Sequence, residues 1–502
     1  MRASVIDLGY NSLKMVSYEI RSDDSFRAYD QRGSLTRLGE GLNETGFLGR
    51  EAMERTLREL ALLKEVNHLG GIDRVLAVTT SPVREAANGE RFRKEAEALL
   101  GLKFKVLTGR EEALLSYIGA ARATRLTDAL FFDLGGGSLE FTYAKGFRVK
   151  KILSLPIGAL RMTELYGKDD QSYPKKDYDR MRRRITELLP TREELGLDEG
   201  TVLMGVGGTL RALAKYDQWT RDYPLNKLHN YRLRRKSIEA INKRLRKLDA
   251  RKIAGIEALG KDRANSITAG SLVISTLMSR LKFDEVVVST HGLRDGVLSE
   301  YLRDPARYSR VELSEAQANR SLAHWYGKET ATEVFSGALA SRGIITLREK
   351  LILDEAIEGF LDLYLSTRAE SLFYAILNDD SYLDHEDQVA LALSLVRAKA
   401  PKTANWFYAR YRAILKDKSK DSINKLSAII QLAEVLELTK SAARIRLQDG
   451  AIRFDITTSQ KDFPTLLLDQ AARELEDATT RTVKTMIHRK QERVQVAPSV
   501  GR

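Results

Sequence analysis

The sequence predicts an α/β protein made of two duplicated lobes with mixed sheets, followed by a helical C-terminal domain. The duplication is visible in two stretches, "VIDLGYNSLKM" near the start and "FFDLGGGSLEF" at residues 131–141, which match at five positions. One offset of 126 residues relates all five, as it relates Asp7 to Asp133. Strand and helix patterns alternate up to about residue 305, and long helical patterns almost without glycine or proline follow.

Residues 1–125 form the first predicted lobe. It opens with a hairpin, because two strand-like runs flank a short turn that contains glycine. Helices are predicted where apolar residues recur every three or four positions. In order, the segments are the hairpin "ASVIDLG" and "LKMVSYEI", the helix "EAMERTLRELALLKEVNHLG", the strand "DRVLAVTTS", the helix "GERFRKEAEALLG", and the strand and helix of "FKVLTGREEALLSYIGAARA".

Residues 126–305 repeat this pattern as a second lobe. Its segments are the hairpin "DALFFDL" and "SLEFTYAKG", then "VKKILSLPIGA", the strand "TVLMGVGG" with the helix "TLRALAKY", and the strand "DEVVVST" before "HGLRDGVLSEYLR". Residues 231–252, "YRLRRKSIEAINKRLRKLDARK", predict one basic helix. Residues 306–502 are predicted to be helical with a short terminal α/β piece, "ARIRLQDGAIRFDITT", before a last helix, "LLLDQAARELEDATTRTVKTMIHRK".

The composition limits the possible chemistry. The 502 residues include no cysteine, which excludes disulfides, thiolate nucleophiles and cysteine-bound metals. Six scattered histidines argue against a histidine-rich metal site, so that a metal here should be a hard cation held by oxygens. No apolar run approaches the roughly 18 residues that cross a bilayer, and Met1 leads almost directly into "SVIDLG". We therefore expect a cytoplasmic protein without a membrane partner.

The formal net charge of +13 favours an anionic partner. Charge alone leaves nucleic acid, membrane headgroups and a polyanionic small molecule open. The basic segment 231–252 has few aromatic residues on which nucleic acid bases could stack. A solvated helix face explains the same segment, and nucleic acid is not the partner we expect.

Three glycine turns at strand ends predict a phosphate site. Glycine permits positive φ and close approach of a ligand, and successive free N–H groups form a nest for anions. The third turn precedes a helix for which Thr209 is the predicted N-cap, and the start of a helix favours phosphate. The positions concerned are Asn11, Ser12, Gly136, Gly137, Ser138, Gly207, Gly208 and Thr209.

Carboxylates stand beside these turns. Asp7 and Asp133 end the two repeated strands, where a buried carboxylate needs a cation or hydrogen-bond donors. Glu140 lies seven residues past Asp133, on the returning strand. The stretch "GREEALLSY" supplies Glu111 and Glu112 at a predicted helix start. Acidic residues there also complement the helix dipole, so each glutamate has a structural explanation beside a functional one.

Together these motifs resemble a known family. The duplicated strand–loop–strand with an aspartate at its tip is similar to the phosphate loops of the actin, sugar kinase and chaperone ATPase superfamily, whose lobes are ribonuclease H-like. More narrowly, the set resembles the exopolyphosphatase / guanosine pentaphosphate phosphatase family. The matching stretches are "VIDLGYNSLKM", "VTTSPVREAANG", "LTGREEALLSYIGA", "FFDLGGGSLEF", "LSLPIGALRMTE", "GVGGTLRALA", "LHNYRL", "RANSITAGSLVISTLM" and "VVVSTHGLRDGVL".

The resemblance implies roles for individual residues. Glu112 matches the residue that activates the attacking water. Asp7, Asp133 and Glu140 match acidic residues around a magnesium ion and its waters, and the glycine-turn positions match phosphate loops. Arg84 matches an arginine near the site, with a surface ion pair as the alternative explanation.

The chain also departs from the family pattern. Tyr10 stands where serine or threonine is common. Its ring would alter substrate choice, either because it narrows the entrance or because it stacks on a base. Lys14 stands where arginine is common. The helical remainder resembles the HD-like C-terminal domain of the long members. His324 stands at the position of its first histidine, but the histidine–aspartate pair is absent, so we expect no second metal site.

The resemblance implies a magnesium-dependent exopolyphosphatase that removes terminal phosphate from inorganic polyphosphate. Hydrolysis of guanosine pentaphosphate to tetraphosphate is the nearest alternative, and a non-catalytic polyphosphate or nucleotide sensor is a second one. A kinase is less favoured, since neither its catalytic aspartate nor an adenosine pocket is recognisable. We expect a homodimer, with the C-terminal domain extending a basic groove or forming the dimer interface.

Overall fold

The computed structural model describes residues 1–21, 25–167, 172–308, 313, 314, 317, 319, 330–415 and 419–489. Contacts divide the chain into two units, Met1–Gly327 and Lys328–Arg502. The boundaries expected at 125/126 and 305/306 stay predictions. Among the helices of the described ranges, none is long and apolar enough to cross a membrane.

The first lobe is built on a five-stranded sheet with the strand order β3-β2-β1-β4-β5. Strand β1 pairs antiparallel with β2, as predicted for the opening hairpin, and parallel with β4. The strands are β1 Arg2–Leu8, β2 Leu13–Ile20, β3 Phe26–Ser34, β4 Arg74–Thr79 and β5 Phe104–Val106. The helices are α1 Leu42–Thr45, α2 Arg50–Leu69, α3 Ser81–Glu85, α4 Gly89–Leu100 and α5 Gly109–Thr124.

The second lobe has a six-stranded sheet with the order β10-β11-β9-β6-β7-β8. Its part β8-β7-β6-β9 repeats β3-β2-β1-β4, with the same antiparallel and parallel pairings, which confirms the predicted duplication. The strands are β6 Ala129–Leu134, β7 Leu139–Lys145, β8 Arg148–Leu155, β9 Val202–Val206, β10 Arg232–Arg234 and β11 Glu285–Val288.

Nine helices and two 3₁₀ turns are described in this lobe and its C-terminal edge. The helices are α6 Ala159–Tyr166, α7 Lys175–Leu188, α8 Arg192–Leu195, α9 Gly208–Thr220, α10 Arg235–Leu245, α11 Ala250–Ala254, α12 Ile267–Arg280, α13 Leu293–Arg303 and α14 Pro305–Tyr308. The 3₁₀ turns are Glu257–Leu259 and Lys261–Arg263.

The prediction of one basic helix over residues 231–252 is wrong in its extent. Its first residues form β10, which pairs antiparallel with β11, and α10 ends at Leu245. Pairing with a strand some fifty residues away along the chain overrides the local helical pattern. Asp249 then caps α11, because its side chain accepts a hydrogen bond from the backbone N–H of Lys252 at 2.8 Å.

A core shared by the two lobes positions the site. Val5 from the first sheet and Phe131 and Met204 from the second belong to one buried cluster that includes residues of α5 and α13. These two helices pack backbone against backbone, since a Cβ atom at Gly119 or Gly296 would overlap main-chain atoms of the other helix or its cap. The N-terminal turns of α5 and α13 are therefore held rigidly beside the ends of β1 and β6.

The second unit contains a helical region and a small sheet of order β12-β13-β14. The last predicted helix is wrong beyond Thr479, because Thr480 has a left-handed φ of 53° and Val483–Arg489 is a strand parallel to β13. His324 lies outside the described residues. The helices are Ala331–Ser341, Leu347–Ser366, Ala369–Asn378, His385–Lys399, Pro401–Tyr411, Ser419–Leu438 and Thr465–Thr479, and the strands are β12 Ala442–Gln448, β13 Ala451–Thr458 and β14 Val483–Arg489.

Candidate active site

A polar cavity of about 130 Å³ lies where the turns of the two repeated hairpins meet. It brings together most of the residues that the sequence singled out. Those lining it are Asp7, Asn11, Ser12, Glu112, Asp133, Gly136, Gly137, Ser138, Gly207, Gly208 and Thr209. Glu140 lies behind the cavity wall with 1% of its surface exposed. Arg84 also lies behind the wall, with Nη1 3.8 Å from Glu112 Oε2.

The two repeated turns have the same geometry. The N–H of Gly9 donates to the carbonyl of Ser12 at 3.1 Å, and the N–H of Gly135 donates to the carbonyl of Ser138 at 3.0 Å. The turns also touch each other, since a Cβ at Gly136 would lie 3.1 Å from the Cβ of Asn11. Glycine therefore lets the two loops close over one small space from opposite lobes.

The third glycine turn differs from the prediction in one detail. The helix α9 begins at Gly208, so that Gly207, not Thr209, is the N-cap. Gly207 has φ of 114°, a conformation that a residue with a side chain rarely adopts. Thr209 instead lies in the first helical turn with 3% of its surface exposed. The N-terminus of α9 still opens on the cavity, where its dipole favours an anion.

Three carboxylates meet at the ends of β6, β7 and α5. Asp133 and Glu140 face each other across the β6–β7 hairpin, and Glu112 stands in the first turn of α5. Asp133 accepts a hydrogen bond from Ser116 Oγ at 2.8 Å, and Glu140 accepts one from Ser154 Oγ at 2.9 Å. Within the described structure, Oε2 of Glu112 and Oε2 of Glu140 are buried without a hydrogen-bond partner.

The same burial shifts the protonation of these groups. Burial raises the pKa of Glu112 well above its usual value, the charge of Glu140 adds to the shift, and Arg84 opposes it. Burial, followed by the charge of Asp133, raises the pKa of Glu140 to about 8. Burial also raises the pKa of Asp133. The cluster therefore holds protons near neutral pH that a bound cation would displace.

The two neighbouring glutamates of "GREEA" have different surroundings. Glu111 belongs to a capping box with Thr108, and its Oε1 lies 3.0 Å from Lys105 Nζ. It also accepts a hydrogen bond from the backbone N–H of Leu313 at 3.1 Å. Glu112 points into the cavity instead. From the sequence, either glutamate could have served only to stabilise the start of the helix. The structure gives this structural role to Glu111.

Four cations in the cavity wall were not singled out as ligands from the sequence. Lys14, Arg211, Arg263 and Arg294 line the cavity, and within the described residues none lies within ion-pairing distance of a carboxylate. Burial, followed by the charge of Arg294, lowers the pKa of Lys14 to about 7 and that of Arg211 to about 10. Buried like charges of this kind are stabilised by a bound polyanion. The three arginines stand in quoted motifs, "GTLRALA", "RANSITAG" and "HGLRDG", but a single arginine in a helix or turn carries no signal of its own.

Tyr10 does not present its ring to a ligand. Its surface is 3% exposed, and Cβ atoms at Gly39 and Gly137 would lie 2.5 and 2.7 Å from the ring. The hydroxyl donates to Glu164 Oε2 at 3.3 Å and accepts from Asn43 Nδ2 at 3.0 Å. Tyr10 therefore fills the space between the two lobes and narrows the cavity, and stacking of its ring on a base is excluded by its burial.

A second cavity of about 600 Å³ adjoins the first, with which it shares Asn11, Leu160 and Ser266. It is bordered by carboxylates, among them Glu44 and Glu164. Its described lining includes four carboxylates and one cation, Arg37, so this adjoining cavity is acidic in character.

A hard cation fits the carboxylate cluster. In the part of the chain that the structure describes, no ready-made group of three acidic or histidine side chains could hold a metal ion alone. Magnesium does not require one, since it keeps several waters and uses one or two carboxylates together with substrate phosphates. In the described structure, the unpartnered oxygen of Glu140 and the raised pKa of that carboxyl group are what such an ion would satisfy.

Comparisons with known proteins identify the family to which most of the two-lobed part is similar. A family model described as the Ppx/GppA phosphatase family matches residues 20–304. A curated relative from Vibrio vulnificus, a guanosine-5'-triphosphate,3'-diphosphate pyrophosphatase, is 27% identical over 336 residues, which cover 65% of this chain and 65% of the relative. The chain spans about half to two thirds of the length of the curated relatives that it matches, 46% in one case and 65% in the other.

Two solved structures are similar in fold. The Ppx/GppA family member of Aquifex aeolicus is 26% identical with a TM-score of 0.51, over 61% of this chain and 99% of that one. An exopolyphosphatase from Cytophaga hutchinsonii is 24% identical with a TM-score of 0.56, over 61% of this chain and 99% of that one.

Proposed function

Because the chain belongs to the Ppx/GppA phosphatase family, we propose that it is a magnesium-dependent exopolyphosphatase, which hydrolyses the terminal phosphate of inorganic polyphosphate. The observation that supports the proposal is that cations and carboxylates lie together at one cavity. Among the described residues, four half-buried cations that form no ion pair with a carboxylate line the cavity beside a cluster of carboxylates with unpartnered oxygens. A terminal phosphate would satisfy the cations, and the carboxylates would serve the attacking water.

Glu112 is the group that takes the proton from water. Burial raises the pKa of Glu112 well above its usual value, which makes its ionised carboxylate a stronger base. Arg84 Nη1 lies 3.8 Å from Glu112 Oε2. The arginine thus orients the carboxylate, but it does not form the close ion pair that would make the carboxylate a weaker base. In-line attack on the terminal phosphorus then needs only that the water stand between Glu112 and the phosphate.

The remaining groups bind and orient the substrate. The loop N–H groups of Asn11–Ser12 and Gly136–Ser138, with the N-terminus of α9, would hold phosphate oxygens from three sides. Lys14 and Arg211 neutralise charge on the same phosphates, and Tyr10 limits the width of the opening. Because these groups are anchored on α9 and at the ends of the paired strands, little reorganisation is needed during reaction.

Asp7, Asp133 and Glu140 are the residues that would hold Mg²⁺. When bound, the ion would offset charge that develops on the phosphate oxygens. The homodimer and the HD-like character of the helical region belong to the same proposal and rest on the family resemblance.

The experiment is release of orthophosphate from polyphosphate and from guanosine pentaphosphate at equal concentration, each with Mg²⁺ and with a chelator. The proposal predicts release from polyphosphate that requires Mg²⁺. Release that is unchanged by the chelator would contradict the metal assignment. Binding of both compounds without any release would support the sensor instead.

Guanosine pentaphosphate is a second candidate substrate, and the adjoining acidic cavity is the observation that favours it. Guanine presents N–H donors, which carboxylates accept, and Oε1 of Glu164 is buried without a partner in the described structure. Faster release from the pentaphosphate than from polyphosphate would select this substrate at the same catalytic site.

A further inference from the structure

A second cationic groove of about 530 Å³ lies on the second lobe between α7, α10 and α12, away from the catalytic cavity. Its rim carries Arg182, Lys243, Arg246 and Arg280. The single carboxylate among its described lining residues, Glu239, is paired with Arg235 at 3.0 Å. Lys243 and Arg280 are exposed, and within the described structure neither forms an ion pair with a carboxylate. Arg182 is paired with Asp179, 3.6 Å away, so the uncompensated positive charge among the described lining residues comes from Lys243, Arg246 and Arg280.

The groove wall also offers a hydroxyl with no partner. Thr276 has 7% of its surface exposed, and its Oγ1 is buried without a hydrogen bond in the described structure. The neighbouring Ser275 Oγ is already engaged, since it accepts from Asn242 Nδ2 at 2.6 Å and donates to the carbonyl of Leu272 at 3.2 Å. A buried hydroxyl is rarely left unsatisfied in a folded protein. This hydroxyl and the unpaired cations that line the same groove are donors suited to phosphate oxygens.

The groove suits phosphates without bases. Its one described aromatic lining residue, Tyr178, is covered by the guanidinium of Arg246, 5.6 Å from the ring centre, and packs edge-on against Tyr173. A ring enclosed in this way offers no platform on which a nucleic acid base could stack. An unsubstituted phosphate chain needs no such platform.

One helix connects the groove with the catalytic cavity. Ser266, the N-cap of α12, lines the catalytic cavity, and Thr276 lies ten residues further along. At about 1.5 Å per residue, the two positions are about 15 Å apart. We propose that the groove is a second binding site for inorganic polyphosphate, which holds a distal part of the chain whose terminal phosphate occupies the catalytic cavity. The proposal rests on the proposed function, and it predicts that long chains bind more tightly than short ones through their second point of attachment.

The test measures binding to full-length protein that carries Glu112→Gln, so that the substrate is not consumed. Long-chain polyphosphate and tripolyphosphate are titrated calorimetrically against this protein, and against the same protein with K243E/R280E. The matched control is R58E/K64E, which reverses two exposed charges on α2 in the first lobe. We expect K243E/R280E to raise the Kd for long chains about tenfold or more and to change the Kd for tripolyphosphate less than about twofold. The control should change both by less than about twofold.

Equal weakening of long-chain binding by the control would overturn the proposal, because net charge alone would then explain it. An unchanged Kd for long chains in K243E/R280E would overturn it as well. Single-stranded DNA that binds the groove more tightly than polyphosphate, and is lost in K243E/R280E, would assign the groove to nucleic acid.

A milder variant keeps the test valid if charge reversal impairs folding. Thr276→Val removes the unpartnered hydroxyl with little change of shape, so the melting temperature should be kept or raised. The Kd for long chains should rise about two- to fivefold, and no rise would contradict the role of the hydroxyl. If the wild-type protein releases no phosphate from polyphosphate while K243E/R280E still weakens the binding of long chains, the proposed function is wrong. The assignment of the groove as a polyphosphate-binding site would then still be supported.

Discussion

Glu111 and Glu112 stand side by side at the start of α5, and the proposed function gives them different roles. Glu112→Gln keeps the shape of the side chain and removes the base. We expect kcat to fall by ~10²–10⁴, the usual contribution of a general base, or about 3–5 kcal/mol of transition-state stabilisation. Glu111→Gln, the matched control, should leave kcat within about threefold of wild type, because Glu111 does not line the cavity.

Stability should change in the opposite order. In the described structure, Glu112 has an oxygen without a hydrogen-bond partner, and it faces the charge of Glu140. Replacing Glu112 by the neutral glutamine should therefore leave the unfolding free energy unchanged or raise it. Glu111 binds Lys105 at 3.0 Å and the N–H of Thr108 at 3.1 Å. Loss of its charge should lower the unfolding free energy by about 1–3 kcal/mol.

The assay is phosphate release together with denaturant unfolding, performed on both variants and the wild type under the same Mg²⁺ concentration. The reasoning is refuted if Glu112→Gln retains activity within about tenfold of wild type. It is also refuted if Glu111→Gln loses as much activity as Glu112→Gln while its stability is unchanged.

Three further predictions follow from named contacts. Asp133→Asn and Glu140→Gln should each raise the Mg²⁺ concentration for half-maximal activity about tenfold or more. Because the pKa of Glu140 is raised to about 8, protons compete with the ion below that pH, and the Mg²⁺ concentration for half-maximal activity of the wild type should fall as pH rises from 6.5 to 8. A Mg²⁺ requirement that changes neither with these substitutions nor with pH would contradict both statements. Tyr10→Phe removes the hydroxyl that joins Asn43 to Glu164 and should cost about 1–2 kcal/mol of unfolding free energy with kcat nearly unchanged, so that a loss of kcat without loss of stability would give the hydroxyl a catalytic role. Burial, followed by the charge of Asp384, raises the pKa of Asp387 to about 7, above its unfolded value, although its ion pair with Arg348 acts in the opposite direction. The stabilising contribution of the protonated carboxyl group is full below the unfolded pKa and is lost as pH rises through 7, so that Asp387→Asn should raise the melting temperature more at pH 8 than at pH 5. An equal change at both pH values would be inconsistent with the shift.

Local patterns predicted the parts of the site that neighbouring residues create. The glycine turns and the aspartates at the ends of β1 and β6 are repeated in the sequence, and the structure places both sets in one cavity. Glu140 was predictable because a tight hairpin fixes its register opposite Asp133.

Tertiary packing created what the sequence did not reveal. Arg211, Arg263 and Arg294 come from three separate segments, and they converge only because α9, the turn before α12 and α13 meet at one edge of the sheet. The position of Tyr10 between Gly39 and Gly137 likewise depends on how closely the two lobes approach. At Arg232–Arg234 and Val483–Arg489, pairing with a distant strand overrode the helical pattern of the local sequence. Such pairing cannot be predicted from the neighbouring residues alone.

Hydrolysis of long-chain polyphosphate in ¹⁸O-labelled water with Mg²⁺ tests the central claim most directly. In the proposed function, Glu112 activates a water that attacks the terminal phosphorus. Each released orthophosphate should therefore carry one oxygen from the solvent, and the shortened chain should carry none. Label in the shortened chain would place the attack on an inner phosphorus. Either that result or the absence of labelled orthophosphate would contradict the account.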